Sequence, residues 1–169
     1  SANEIHFNNI KRVIRALEYY HDTGKTISSH NHEQRENVSP YNFAYFVLND
    51  KRELLYNRIE KRVDIMLEKG LVEEVDKLLS SGCNANMVSM QGIGYKEVVS
   101  HINNNVSLDD TAELIKKNTR HFAKRQLTWF RREKDVTMIN INEFEYKQEK
   151  ILAEMLMNLK KRNIIKDKV

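Results

Sequence analysis

The sequence predicts a mostly α-helical fold with a few strands. Three observations carry that reading. Breakers are scarce: Pro40 is the only proline, and five glycines serve 169 residues. Apolar residues recur at i, i+3, i+4 and i+7 in segment after segment, which is the period of an amphipathic helix. Two short stretches, 41–48 and 136–141, break that period. The first is aromatic and β-branched, and the second alternates apolar with polar residues, so both read as strands.

In order, the chain opens with an entry segment that ends at Asn8 or Asn9 as N-cap. Ile10, Val13, Ile14, Leu17 and Tyr20 form a helical stripe with Lys11, Arg12 and Arg15 on the other side. Gly24 then suits the left-handed C′ position. Residues 26–39 are polar and aperiodic and read as a solvated linker. His30 and His32 stand within them without the Cys or acidic ligands that a metal site requires. After Pro40 and the strand at 41–48, Asn49 or Asp50 is the expected cap of a helix, with Glu53 completing a capping box. Leu55, Ile59, Val63, Met66 and Leu67 form its apolar face and Gly70 stops it. Arg58 has Glu60 and Asp64 as its expected partners. A shorter helix over 71–81 buries Val72, Val75, Leu78 and Leu79. Gly92 and Gly94 precede another helix that turns Val98, Val99 and Ile102 inward; two such glycines can let backbone N–H groups approach an anion. The strand at 136–141, a helix over 145–161 and a fraying basic tail over 160–169 complete the chain.

Residues 109–134 make the longest helix, with Ser107 as N-cap and Asp110 as a capping-box-like partner. Leu108, Ala112, Ile115, Thr119, Phe122 or Ala123, Gln126 or Leu127, and Phe130 mark one apolar face. Lys116, Lys117, Arg120, Lys124, Arg125, Arg131, Arg132 and Lys134 face a single acid, Glu133. At 1.5 Å per residue this is a rod of roughly 35–40 Å, cationic along one side. Solvated faces normally mix the two signs, so the segregation points to a polyanionic partner. Trp129, on the apolar side, is expected in the core, with stacking on a base as the alternative.

The totals set outer bounds. Hydrophobic residues make up 40% and charged residues 31%, with a net charge of +4, values ordinary for a soluble domain with a core. The single Cys83 excludes an intramolecular disulfide and suits a reducing compartment; a bystander thiol is the expectation. No apolar run is long enough to span a bilayer, and a cytoplasmic location is expected. Two strands nearly ninety residues apart do not make a satisfactory sheet alone. They are expected to be pieces of a larger one, in the C-terminal portion of an enzyme whose N-terminal half lies outside this sequence.

Four stretches, KRVIRALEYYHDTGKTIS (11–28), RIEKRVDIMLEKGLVEEVDKLL (58–79), GIGYKEV (92–98) and TRHFAKRQLTWFRRE (119–133), together resemble the bacterial tRNA dimethylallyltransferase (tRNA isopentenyltransferase) family in order and spacing. They cover most of residues 4–140. The last stretch is the most specific. One departure is Phe7, where the family usually has Pro after the His.

The resemblance implies transfer of a dimethylallyl group from dimethylallyl diphosphate to N6 of the adenosine beside a tRNA anticodon. It implies a P-loop-NTPase-like α/β core, of which 38–169 would be the C-terminal part, with 1–37 belonging to a helical tRNA-binding insertion. Arg62, in the RVDxM motif, matches the position assigned to diphosphate binding; Arg120 and Lys124 are further candidates to stabilise the diphosphate, supported by Arg125 and Gln126. Lys11, Arg12 and Arg15 are expected on the tRNA backbone, and Gln91, Gly92, Ile93, Gly94, Tyr95 and Lys96 along the acceptor channel. The complete enzyme is expected to use Mg²⁺, to bind the tRNA anticodon stem-loop and dimethylallyl diphosphate, and to be a monomer. The phosphate loop and catalytic base are absent from these residues, so the chain alone is expected to be inactive. The alternative is a non-catalytic helical RNA-binding module.

Overall fold

The computed structural model describes residues 1–36 and 38–166. The boundary expected at residue 37 and the last three residues of the basic tail lie outside the described residues. Two compact units are present, Ser1–Asn42 and Phe43–Val169. Among the described residues no helix is long and apolar enough to cross a membrane.

The first unit pairs helix α1 (Ile10–Thr23) with helix α2 (Ile27–Glu36). Gly24 ends α1 at φ +69°, returning its N–H to the Tyr20 carbonyl, as its lack of Cβ permits. The helix at Ile27–Glu36 replaces the expected linker. It has little apolar face, and local polar contacts hold it instead. Ser29 donates to Glu33 at 3.3 Å, His32 meets Glu36 at 3.3 Å, and Ser1 and Ser28 share a 2.8 Å hydroxyl bond. Pairs at i,i+4 are worth only tenths of a kcal/mol each, which is why no hydrophobic period announced them.

The second unit contains strand β1 (Tyr45–Asn49), helices α3 (Arg52–Glu68), α4 (Leu71–Ser80), α5 (Tyr95–Asn104) and α6 (Leu108–Phe130), strand β2 (Val136–Asn140) and helix α7 (Gln148–Lys161). The strands pair with each other in parallel, Tyr45 opposite Val136 through Asn49 opposite Asn140. The first strand is thus displaced from 41–48: Tyr41 is exposed, and extension begins at Tyr45, where β2 supplies a partner. Val63, Leu71, Val75, Met90, Val98, Val99 and Ile115 form one buried cluster, with Cys83 packed at its margin. Burying a side chain the size of Ile115 stabilises by about 1.5–3 kcal/mol.

Helix starts tested two expected caps. Ser107 accepts the Asp110 N–H at 3.0 Å and donates to the Asp110 carboxylate at 2.6 Å, so α6 begins as its sequence suggests, although it ends at Phe130 instead of 134. Asp50 does not cap α3. The N-cap position falls on Lys51, without a side-chain bond, because Asp50 is held elsewhere. It accepts the Lys51 N–H at 2.8 Å and the Tyr146 hydroxyl at 3.2 Å, and it pairs with Arg58. Arg58 therefore reaches back to β1 instead of pairing with Glu60 or Asp64, and lies 5.9 Å from the Tyr146 ring centroid. Glu145 and Tyr146 both adopt left-handed backbone angles, φ +55° and +60°, within the corner that carries the Tyr146 hydroxyl to Asp50. The helix expected from 145 accordingly starts at Gln148.

Candidate functional site

The cationic helix α6 divides its charges between two neighbourhoods. Along one side it lies antiparallel to α3, joined by ion pairs one turn apart. Lys116 meets Asp64 at 2.8 Å and Glu113 at 3.3 Å, and Arg120 meets Glu60 at 2.5 Å. The hydrogen bond to Asp64, aided by that to Glu113, raises the Lys116 ammonium above its ordinary value of 10.5 against the opposing effect of burial. Past Arg120 the pairing stops. Lys124, Arg131 and Arg132 have no ion pair among the described residues, nor does Lys117 before them, and Arg125 lies 5.8 Å from the centroid of the Phe122 ring. Trp129, expected in the core, is 52% exposed and meets Phe130 edge-on at 5.2 Å. Phe130, expected on the apolar face, packs edge-on against Tyr45.

Where α6 passes the first turns of α3, a cleft of about 370 Å³ opens at the carboxyl end of β1. It is lined by Asn49, Asp50, Arg52, Leu55, Tyr56, Lys124, Leu127, Thr128 and Arg131. Three cations, a hydroxyl and a phenol around one cleft suit an anionic ligand, and the carboxyl end of parallel strands is where α/β sheets generally bind one. The Asn49 Oδ1 is buried at its edge with no hydrogen-bond partner among the described residues. Arg52 was not expected as a ligand group, and Arg131 was expected only as one of the α6 cations turned to a polyanion. Arg52 sits in a helix read for its apolar face, and only the antiparallel packing of α3 on α6 brings the two together.

The other expected residues fall in different places. Arg62 is exposed on α3 and stands about 160° around that helix from both Glu60 and Asp64. It projects away from the α6 seam, so Arg62, Arg120 and Lys124 do not converge within this unit. Gln126 is exposed on α6. In the turn before α5, the Gln91 amide donates to the Ala85 carbonyl at 2.7 Å, and the Tyr95 hydroxyl donates to Glu74. That bond, then burial and the Glu74 charge, push the Tyr95 phenol above its ordinary value. Gly92 has an ordinary φ of −62°, while Gly94 is buried at φ +99°. Its N–H does not await an external anion as the glycine pair suggested: it donates to Glu97 Oε2 at 2.7 Å. Ile93 packs on the buried cluster, and Lys96 Nζ lies 3.6 Å from Glu97 Oε1. In the first unit, Lys11, Arg12 and Arg15 are exposed.

The IPP transferase family model matches residues 1–133. A tRNA dimethylallyltransferase of Lachnoclostridium phytofermentans is 52% identical over 166 residues, 98% of this chain and 53% of that protein. A tRNA isopentenylpyrophosphate transferase structure from Staphylococcus epidermidis is 42% identical with a TM-score of 0.68, covering 95% of this chain and 52% of the other. A eukaryotic dimethylallyltransferase captured acting on tRNA is 30% identical with a TM-score of 0.67, covering 81% and 37%. The chain spans about half the length of the curated relatives it matches. Every stretch that carried the resemblance lies within the matched residues, and the chain belongs to the IPP transferase family.

Proposed function

We propose that this chain supplies part of a tRNA dimethylallyltransferase, contributing RNA-binding and diphosphate-stabilising groups to a site completed by residues outside it. The observation that carries this reading is the placement of the 119–133 motif. It lies on α6, and Lys124 and Arg131 border a cleft at the carboxyl end of β1. In the reaction the adenine N6 lone pair forms a bond to C1 of the dimethylallyl group. The C1–O bond breaks and its electron pair leaves with diphosphate, while the N6 proton passes to a base outside this chain. Negative charge grows on the departing oxygen, where fixed cations in a water-poor site lower the barrier. Lys124 serves that role here, with Arg125 beside it. Arg120 keeps Glu60 as its partner and acts through the field of the pair. Arg62, on the opposite side of α3, reaches the diphosphate only if the rest of the protein brings the ligand there.

On the acceptor side, Lys11, Arg12 and Arg15 bind the anticodon stem-loop backbone and residues 91–96 border the flipped adenosine, since base-modifying enzymes take their target out of the stack. Magnesium, which the resemblance implies, does not fit the residues present. Among the described residues no group of three or more His, Cys, Asp or Glu could hold a metal, and Asp50 is already engaged by Arg58 and Tyr146. No step above is routed through magnesium.

The test is prenyl transfer from dimethylallyl diphosphate to tRNA, measured on this chain alone and on this chain joined behind the N-terminal half of the Staphylococcus epidermidis relative. The chain alone should be inactive and the joined protein active. RNA binding without transfer by the folded joined protein would favour the non-catalytic module. In the joined protein Arg62→Ala should lower turnover far more than RNA affinity; equal losses in both would remove Arg62 from the diphosphate site.

A further inference from the structure

Glu97 is the most deeply buried carboxylate of the described residues, 3% exposed, and the function proposed above makes no use of it. Burying a charge is costly unless its hydrogen bonds are complete, and here both oxygens are engaged. Oε2 accepts the Gly94 N–H at 2.7 Å. Oε1 accepts Asn118 Nδ2 from the middle of α6 at 2.7 Å, with Lys96 Nζ at 3.6 Å. One side chain thus joins the glycine turn to the cationic helix.

The rest of the turn is fixed from below. Met90 is fully buried. A Cβ on Gly94 would meet Leu71 at 3.9 Å and Met66 at 4.0 Å, in a backbone conformation that side chains rarely adopt. Gln91, Gly92 and Lys96 remain exposed. The pattern is a turn with buried anchors and exposed polar edges. Glu97, on the first turn of α5, carries the link: it holds the Gly94 N–H on one oxygen and the Asn118 amide of α6 on the other.

We propose that Glu97 is a positioning residue for RNA, locking the 91–96 turn to α6 through Asn118 so that the exposed edge of the turn and the cations of α6 meet RNA as one rigid surface. This rests on the reading of the chain as an RNA-modifying protein. A tethered edge binds without the ordering cost a loose turn would incur.

The experiment uses this chain and an anticodon stem-loop RNA, read by fluorescence anisotropy well below the melting temperature of every variant. Glu97→Gln keeps one acceptor for Gly94 but presents an amide to the Asn118 amide. It should weaken RNA binding about tenfold and speed hydrogen exchange at the Gly94 amide. Adding Asn118→Asp reverses donor and acceptor at conserved total charge, and should bring affinity back to within about threefold of the original. Unchanged RNA affinity in a folded Glu97→Gln protein would overturn the proposal. So would a loss that the second substitution fails to repair while Gly94 protection is repaired, and so would failure of the unmodified chain to bind the RNA. Absence of prenyl transfer by the joined protein, with the affinity pattern intact, would overturn the prenyltransferase reading alone.

Discussion

Helices α1 and α6 are both amphipathic and both cationic, yet they are embedded very differently. On α6, Ile115 and Thr111 are buried, and Lys116 and Arg120 are committed to acids of α3. On α1 no residue is buried, Ile10, Ile14, Leu17 and Tyr20 are exposed, and Lys11, Arg12 and Arg15 have no ion pair among the described residues. Similar helical periodicity thus describes a helix fixed within a hydrophobic cluster and one whose apolar stripe lies open. The lesson is that a cation on an amphipathic helix is available to a ligand only where the neighbouring element offers no acid. On α6 the available cations are Lys117 and those past Arg120.

The contrast can be broken most forcefully in the core. Ile115→Ala should cost about 2–5 kcal/mol in chemical denaturation, as deletions of buried branched side chains do. Ile14→Ala on α1 should stay within about 0.5 kcal/mol; comparable costs would mean that α1 is as embedded as α6. Replacing Lys11, Arg12 and Arg15 together by Ala should leave stability unchanged. It should make the dependence of log RNA affinity on log salt shallower by about two to three, and an unaltered slope would take α1 out of the RNA contact. A double-mutant cycle on Glu60 and Arg120 should give a coupling of about 0.5–1 kcal/mol, modest because both side chains are partly solvated; no coupling would return Arg120 to the pool of available cations.

The smallest effects concern pH. The raised Lys116 pKa means that its contribution is fully present below about pH 10.5 and is lost as pH climbs through the higher folded value. Melting temperatures of the protein and of Lys116→Met should therefore converge in strong alkali; a constant difference would refute the ion pairs as its source. Lys150 and then Lys147 hold the Glu145 carboxyl below its ordinary value of 4.5, so its small contribution exists above that value and disappears as acid protonates it. Glu145→Gln should narrow the difference in melting temperature between pH 6 and pH 3.

Much of the fold was legible because local chemistry decides it. Gly24 and Gly70 both take the positive φ that stops on helices favour, and Ser107 caps where a serine followed by Asp110 should. What stayed hidden depends on partners distant in sequence. Asp50 looked like a cap until Arg58 and Tyr146 claimed it, the latter 96 residues away. The glycine pair could have let N–H groups approach an anion, but Glu97 already accepts the Gly94 N–H. The helical stripe already included Phe130, which meets Tyr45; it was the expectation for its neighbour Trp129 that failed. The cleft was half visible: Lys124 and Arg131 were both among the cations expected to face an anion, whereas Arg52 acquires meaning only from helix packing.

The pairing of β1 with β2 also bears on how the chain folds. Asn49 and Asn140, whose side chains bond at 3.1 Å, stand 91 residues apart. Closing a flexible loop of that length costs roughly 4 kcal/mol in entropy, and a two-stranded sheet returns little on its own. The cost falls once α3 and α6 have docked, because their antiparallel seam already brings the end of one strand near the start of the other. Loop entropy thus favours helical assembly ahead of strand pairing, with the sheet closing last. Destabilising the α3–α6 seam should accordingly slow folding, whereas weakening the asparagine rung should mainly hasten unfolding.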